Sequence, residues 1–352
     1  MRQTLADSLH AWAAKAPPRH AVAQTVLALA EAAKQIAGLL ALGPLAGSLG
    51  ATVSVNAGRD EQKKLDVLAH QICVDALRGA PVAAIASEEE DHAMECDTTA
   101  PLVVAIDPLD GSSNIETNLS VGTIFSILPS LAEKGAEQSI LQAGFRQLAA
   151  GFFLYGPQVA LVLTLGEGTH LFVLHPASGD FLLAKENLSI PQKSQEFAIN
   201  ASNFRHWDKR VRAFIEDCLA GRDGPNGVDY NMRWLASVVA EAFRILIRGG
   251  IYLYPADHRQ GYAQGRLRLL YEANPLAFLI EQAHGAATNG LTRIMELEPV
   301  GLHQRTPLVF GSADEVARLV AYYSSKLAVG ERSPLFGRRS LFRSEEGFPG
   351  CR

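Results

Sequence analysis

Seven carboxylates in this 352-residue chain stand where chemistry can gather them: Asp60, Asp66, Glu88, Glu89, Asp107, Asp110 and Glu272 lie at a helix start, at strand ends or just after apolar runs. Ligands of open α/β sheets collect at the carboxyl ends of strands. Carboxylates crowded there repel one another unless divalent cations neutralise them, and an all-oxygen set favours Mg²⁺ or Mn²⁺ over zinc or copper. The run Glu88 to Asp91 taken alone reads rather as a solvated acidic face. The residues after Asp110 add the second half of a site: Gly111, Ser112, Ser113 and Asn114 form a turn able to present successive backbone N–H groups to an anion. Metal-holding carboxylates next to a phosphate cradle suit phosphoryl transfer to water, because cations and N–H donors neutralise the same phosphate oxygens. An ordinary Asp-Gly turn is the alternative for these residues alone.

The elements that must position these groups are legible from periodicity. Residues 22–42 read as a helix stopped by Gly43-Pro44. From Asp60 as N-cap, apolar residues recur at Leu65, Leu68, Ala69, Ile72, Cys73, Ala76 and Leu77 up to Gly79, so a second helix carries Asp66 on its flank. Apolar runs at 82–86 and 102–106 read as buried strands that deliver Glu88, Glu89, Asp107 and Asp110, with further strands at 121–128, 151–155, 159–165 and 169–174. The pattern shifts near 190–200, which divides the chain into an N-terminal unit, 1–195, a C-terminal unit, 196–328, and a flexible tail, 329–352. The second unit reads as a strand at 197–200, helices at 206–220 and 232–248, a strand at 251–254, an apolar run at 267–271, and helices at 275–284 and 313–327. The alternation points to an α/β fold of stacked layers with mixed sheets.

Composition narrows the function classes. With 48% hydrophobic and 20% charged residues the chain can build a large core. Its 32 Lys+Arg against 37 Asp+Glu leave a net charge of −5, which gives no field to draw nucleic acid or an anionic membrane. Four cysteines, at 73, 96, 218 and 351, show no CxxC spacing and fit a reducing cytosol. No signal peptide is visible, and the apolar stretch 21–42 is interrupted by Gln24, Glu31, Lys34 and Gln35, as in a soluble amphipathic helix. A cytoplasmic protein without membrane or nucleic-acid partners is expected.

The segment DPLDGSSNIETNLSVGTIFSI at 107–127 resembles the signature of class I fructose-1,6-bisphosphatases. The likeness continues through RDEQKKLDVL at 59–68, SEEE at 87–90, AAGFFLYG at 149–156, RILIRGGIYLYP at 244–255, RLRLLYEANPLAFLIEQAHG at 266–285 and HQRTPLVFGSADEV at 303–316. It spans roughly residues 20–327 in matching order.

This resemblance implies a five-layered α/β/α/β/α sugar phosphatase fold in two packed domains. It implies Mg²⁺-dependent removal of the 1-phosphate of fructose 1,6-bisphosphate, with Mn²⁺ as a substitute and two or more ions per subunit. The matching metal positions are Glu88, Glu89, Asp107, the Leu109 carbonyl, Asp110 and Glu272. Glu89, assisted by Asp66, matches the base that takes a proton from water, and Asp60 matches a mobile loop that closes over the metals. Asp110 and the backbone of Gly111, Ser112 and Ser113 match the 1-phosphate cradle, while Asn200, Arg233, Tyr254, Arg266 and Arg268 match the sugar and 6-phosphate site.

Departures from the family pattern carry expectations of their own. Arg266 stands where many members carry Lys, Trp234 where Tyr is usual and Phe204 where a phenol is common. The counterpart of Arg233 reaches a neighbouring subunit, so a homo-oligomer, a tetramer, is expected. The AMP-binding features of animal members are replaced by HAVAQTV at 20–26 and by Pro101-Leu102, which predicts weak or absent AMP inhibition. No Cys occurs in 128–175, which removes the light-switch insertion of the chloroplast form. Alternative readings are a bisphosphatase accepting sedoheptulose 1,7-bisphosphate, a phosphatase of the lithium-sensitive inositol group, and a catalytically silent sugar-phosphate sensor.

Overall fold

The computed structural model describes residues 2–46, 52–55 and 61–324. Helices α1 (Leu5–Ala13) and α2 (Arg19–Leu42) lead the chain, and α2 stops at Gly43 as its sequence dictates. Strands β1 (Thr52–Val55) and β2 (Glu61–Lys63) pair antiparallel before α3 (Lys64–Arg78). Helix α3 therefore starts later than an Asp60 cap requires. Its first turn is closed by Asp66, whose carboxylate accepts the Lys63 N–H at 2.6 Å, while the preceding residues belong to β2.

Strands β3 (Val82–Ser87), β4 (Met94–Glu95), β5 (Leu102–Asp110) and β6 (Val121–Pro129) come next, then the short helix α4 (Ala136–Ile140). β7 (Ala149–Tyr155), β8 (Val159–Thr164), β9 (Thr169–Leu174) and β10 (Phe181–Lys185) complete an eight-stranded sheet in the order β10-β9-β8-β7-β6-β5-β3-β4. Neighbours run antiparallel except β3 and β5, which are parallel and deliver their carboxylates at the same end.

The remainder of the chain runs β11 (Glu196–Ala198), α5 (Lys209–Leu219), β12 (Asn231–Met232), α6 (Val238–Arg248), β13 (Ile251–Tyr254), β14 (Leu267–Arg268), α7 (Asn274–Gln282), β15 (Ala286–Thr288), β16 (Arg305–Thr306), β17 (Leu308–Gly311) and α8 (Ala313–Ser324). A five-stranded sheet forms in the order β12-β11-β13-β17-β15, and β14 pairs with β16 as a separate ribbon. Residues 232–237, expected as the start of α6, instead hold the end of β12 and a non-helical approach in which Ala236 takes φ +54°, and Ser237 caps the helix by accepting the Ala240 N–H. The tail expectation for 329–352 falls outside the described residues, as does Cys351; Cys73 and Cys218 are buried thiols.

Strand alternation explains the layers. In β7, Phe153 points to α1, α2 and α3 while its neighbour Phe152 points the other way, to α6 and α7. In β13, Tyr252 faces α6 and α7, whereas Ile251 and Leu253 face α5 and α8. The order is thus α1–α3, large sheet, α6 and α7, small sheet, α5 and α8: the five layers that the resemblance implies. By length and composition α2 is apolar enough to cross a bilayer. Its stripe of Val22, Val26, Leu29, Ala33 and Ile36 is instead buried with Leu65, Ala69 and Cys73 of α3 and with Val104 and Ile106 of β5. Burial of the Val, Leu and Ile side chains among these stabilises by about 1.5–3 kcal/mol each.

One glycine sets how closely α6 approaches the large sheet. A Cβ on Gly122 would lie 2.4 Å from the Phe153 carbonyl oxygen and 2.8 Å from Val239 Cγ2. Gly122 pairs with Asp110, so the same close approach fixes the start of α6 against the carboxylates. Gly122→Ala is expected to destabilise the protein by about 1–3 kcal/mol and to reduce activity in the fraction that remains folded. Chemical denaturation and an activity assay check this; unchanged values for both would contradict it.

Candidate active site

The carboxylates converge because two elements are locally irregular. Residues three apart on a regular strand point to opposite faces, yet Asp107 and Asp110 share one site. Pro108 has no N–H to give the ladder, and the β5–β6 register shifts between Asp107 and Asp110. Buried hydroxyls hold the distortion: Thr123 Oγ1 donates to the Pro108 carbonyl at 2.8 Å and lies 2.9 Å from the Tyr155 hydroxyl. The Leu109 N–H donates to Asp107 Oδ1 at 3.0 Å. Glu272 arrives on a π-helical turn, Leu269–Ala273, immediately before α7, and its Oε2 accepts the Arg268 N–H at 2.6 Å.

Carboxylate oxygens of Asp107, Asp110 and Glu272 all lie within 4.8 Å of one another. Burial pushes the Asp107 carboxyl well above its usual range, and the charges of Glu88, Asp110 and Glu272 push further. Glu272 is raised by burial and by Glu88, against the pull of Arg268. Asp110 is pushed up to about 7 by burial, although the Val239 N–H holds it down by donating to Oδ2 at 3.2 Å. Only oxygen is on offer, from carboxyls that burial and mutual repulsion both push up. That donor set fits a hard divalent cation. Glu88 and Glu89 come directly after β3, and Arg268 Nη1 meets Glu88 Oε1 at 2.6 Å.

The turn after Asp110 has the conformation its residues suggest. Gly111 adopts φ +77°, and Ser112–Asn114 make one 3₁₀ turn, with Asn114 Nδ2 donating to the Ala236 carbonyl at 3.0 Å. This contact sets the turn beside the N-terminus of α6, whose leading N–H groups already donate to Asp110 and Ser237, so what the helix adds for an anion on the turn is its dipole. Asp66 borders the same space from α3. Its carboxyl is pushed up to about 6 by burial, with the Lys63 N–H and the Ser112 hydroxyl pulling it down.

The opposite wall comes from the smaller sheet and its ribbon. Trp234 stacks on Tyr252 with ring centroids 5.9 Å apart, and Tyr254 lies beside both. Arg266 interacts with Tyr254 and its guanidinium carbon lies over the Tyr262 ring, 4.8 Å from the centroid. Asn200 caps the turn after it by accepting from Ser202.

A cleft of about 550 Å³ joins these parts. It is lined by Asp66, Glu88, Glu89, Asp107, Leu109, Asp110, Gly111, Ser112, Ser113, Asn200, Trp234, Tyr254, Arg266, Arg268 and Glu272. Arg233 is not among them: its Nε lies 3.6 Å from Glu196, a carboxylate that Arg244 and Arg248 also engage. Asp60 lies outside the described residues. Phe204 packs edge-on against Trp207, away from the cleft.

Lys63, Tyr252 and Arg305 also line the cleft and escape the sequence reading. Lys63 and Tyr252 were accessible in principle, Lys63 as the neighbour of α3 and Tyr252 because it lies two residues from Tyr254 on the same strand face. Arg305 was not, since only the pairing of β16 with β14 sets it opposite Arg268.

Comparison with known proteins bears on most of the chain. Residues 10–186 match the family described as fructose-1-6-bisphosphatase, N-terminal domain, and residues 190–324 match its C-terminal domain. The class 1 fructose-1,6-bisphosphatase of Rhizobium meliloti (strain 1021) is 55% identical over 328 residues, covering 92% of this chain and 93% of the relative. That of Azorhizobium caulinodans is 55% identical over 324 residues, covering 91% and 99%. Among solved structures, fructose-1,6-bisphosphatase of Leishmania major in holo form superposes with a TM-score of 0.85 at 32% identity, covering 92% of this chain and 100% of that one. With that agreement in sequence, length and layer order, the chain belongs to the class 1 fructose-1,6-bisphosphatase family.

Proposed function

We propose that this cleft hydrolyses the 1-phosphate of fructose 1,6-bisphosphate, releasing fructose 6-phosphate and inorganic phosphate, with Mg²⁺ as the working cation and Mn²⁺ as a substitute. The observation that carries the reading is the meeting of Asp107, Asp110 and Glu272 within 4.8 Å, directly beside the Gly111–Ser113 turn. Two or more cations per subunit would be held by Glu88, Glu89, Asp107, the Leu109 carbonyl, Asp110 and Glu272. When bound, they supply positive charge to the phosphate oxygens and lower the pKa of water.

The chain's own groups have separate tasks. Glu89, helped by Asp66, accepts a proton from the attacking water, whose oxygen bonds to phosphorus as the bond to the sugar oxygen breaks, and the freed oxygen takes a proton from solvent to leave as the C1 hydroxyl of fructose 6-phosphate. N–H groups of Gly111, Ser112 and Ser113, with the α6 N-terminus behind them, hold the 1-phosphate as charge shifts to the leaving oxygen. Asn200, Trp234, Tyr254, Arg266 and Arg268 orient the sugar and the 6-phosphate, which sets the geometry of attack. In this reading the unit 1–195 supplies the reacting carboxylates other than Glu272, and the unit 196–328 supplies Glu272 and the sugar site. The exposed Arg233 extends towards the 6-phosphate site of a neighbour in a homotetramer. We also read the enzyme as cytoplasmic; the burial of the α2 stripe supports a core role for that helix.

A second reading, acceptance of the seven-carbon sedoheptulose 1,7-bisphosphate, is favoured by Trp234. Its stacked ring offers a flat wall with no hydroxyl to bond a phosphate at a fixed distance. Comparing kcat/KM for the two bisphosphates separates the readings.

Glu89→Gln keeps the shape of the side chain and removes the proton acceptor. It is expected to lower kcat by about 10²–10⁴-fold while fructose 1,6-bisphosphate still binds, as read by phosphate release and calorimetry. Wild-type protein that binds the sugar but releases no phosphate with any divalent metal would support the silent sensor instead.

The raised carboxyls give a pH signature without metal. Their folded-state pKa values lie above unfolded ones, so folding takes up protons and stability is lost as pH rises from the ordinary 3.8 of Asp110 through about 7. The melting temperature of EDTA-treated protein is expected to fall between about pH 5.5 and about pH 8, with Mg²⁺ raising it more at the higher pH. An equal Mg²⁺ effect at both would contradict the assignment.

Inhibition by AMP is expected to be weak or absent. Residues 20–26 lie inside α2, and the leading N–H groups of Arg19 and His20 already donate to Ala16 and Pro17. A micromolar inhibition constant at saturating Mg²⁺ would refute this.

A further inference from the structure

Behind Glu88 and Glu89 runs a chain of hydrogen bonds that the proposed chemistry leaves unused. His70 lies on α3 one turn beyond Asp66, so the two side chains share a helix face. Its Nδ1 is 2.9 Å from Ser87 Oγ and its Nε2 is 3.2 Å from Glu90 Oε1. Ser87 ends β3, is fully buried, and accepts the Glu89 N–H on the same Oγ at 3.3 Å. The surrounding turn is pinned by its backbone as well. The Glu88 N–H donates to the Ile106 carbonyl at 3.0 Å, the Glu90 N–H donates to the Ser87 carbonyl at 3.2 Å, and His303 Nε2 lies 2.8 Å from the Glu90 carbonyl.

Proton counting orders the chain. The Glu90 carboxylate can only accept, so the imidazole proton facing it is on Nε2. In the neutral ring Nδ1 is then an acceptor, and the single Ser87 proton points to it while the Ser87 oxygen receives the Glu89 N–H. The order Glu90, His70, Ser87 mimics a hydrolytic triad, but Ser87 is closed off from solvent and its oxygen is aimed at backbone, so it cannot attack a substrate.

We infer that His70 is a positioning residue which, through Ser87, fixes the Glu89 backbone and so aims the Glu88 and Glu89 carboxylates into the cleft. The inference rests on the reading of those carboxylates as cation-holding and proton-accepting groups. Partners one bond removed from a metal ligand typically change metal affinity or activity by about 10–100-fold when removed. A small rotation of this turn is enough, because the two carboxylates move with the backbone that Ser87 holds.

The test compares His70→Leu, which fills the space without hydrogen bonding, with His70→Asn, whose amide oxygen can take the Ser87 proton but cannot reach Glu90. Mn²⁺ affinity is measured by calorimetry without substrate, alongside kcat, KM and melting temperature. For His70→Leu, Mn²⁺ affinity is expected to fall about 10-fold and kcat about 10–100-fold with KM nearly constant, and Asn is expected to recover most of both losses. A folded His70→Leu protein with wild-type affinity and kcat overturns the inference, as does an Asn variant no better than Leu. Ser87→Ala cuts the same link from the other side and is expected to reproduce the loss. If His70→Leu does not fold, a Ser87→Ala protein with wild-type affinity and kcat overturns the inference. Wild-type protein that neither binds Mn²⁺ nor releases phosphate overturns the functional reading itself, and this inference with it.

Discussion

Mutual repulsion among Asp107, Asp110 and Glu272 is the constraint to which the rest of this structure answers. At 4.8 Å, two ionised carboxylates repel by about 3 kcal/mol at an effective dielectric near 20, and burial adds to the penalty. Nothing about strands or helices brings like charges together unaided. The proline-interrupted bulge of β5, the π-helical turn before α7 and the Thr123–Tyr155 hydroxyl pair are the local distortions that do so. Arg268 and the α6 N-terminus relieve part of the charge from either side, Arg268 through Glu88 and its own N–H to Glu272, α6 through Val239. The residual excess of negative charge is what a divalent cation would complete.

The layered fold supplies the rigidity that such a centre requires. Helices α6 and α7 are packed between two sheets, with Val239, Ala242, Leu276 and Ile280 buried among strand residues of both. The N-terminus of α6 and the turn leading into α7 therefore cannot retreat from the carboxylates without opening the core. Asp107 and Asp110 come from the large sheet, Glu272 from the turn into α7, and the recognition wall from the small sheet and its ribbon, so one cleft joins a fixed cation centre to the aromatic and guanidinium groups around Tyr254 and Arg266.

Much of this was legible in the sequence, and the omissions have physical causes. Carboxylates placed just after apolar runs signal a shared strand end, and the glycine and serines after Asp110 signal an anion turn, because both depend on short-range spacing. The caps were less readable. Asp60 has the better capping chemistry, yet the β1–β2 pairing takes the residues before Lys64, and Asp66 closes the helix from within. Two-residue strands such as β14 and β16 carry too few residues for any period, so Arg305 becomes a cleft residue only through its partner. Arg233 illustrates the same limit: its ion pair to Glu196 depends on β12 lying beside β11, a neighbour relation that no local pattern encodes.

The most direct test of the account is anomalous diffraction from crystals grown with Mn²⁺, fructose 6-phosphate and inorganic phosphate. The account predicts Mn²⁺ peaks bounded by Asp107, Asp110, Glu272 and the Glu88–Glu89 turn, with phosphate on the Gly111–Ser113 turn. Peaks confined to surface carboxylates, with the Asp107–Asp110–Glu272 centre free of metal and the sugar phosphate elsewhere, would contradict it.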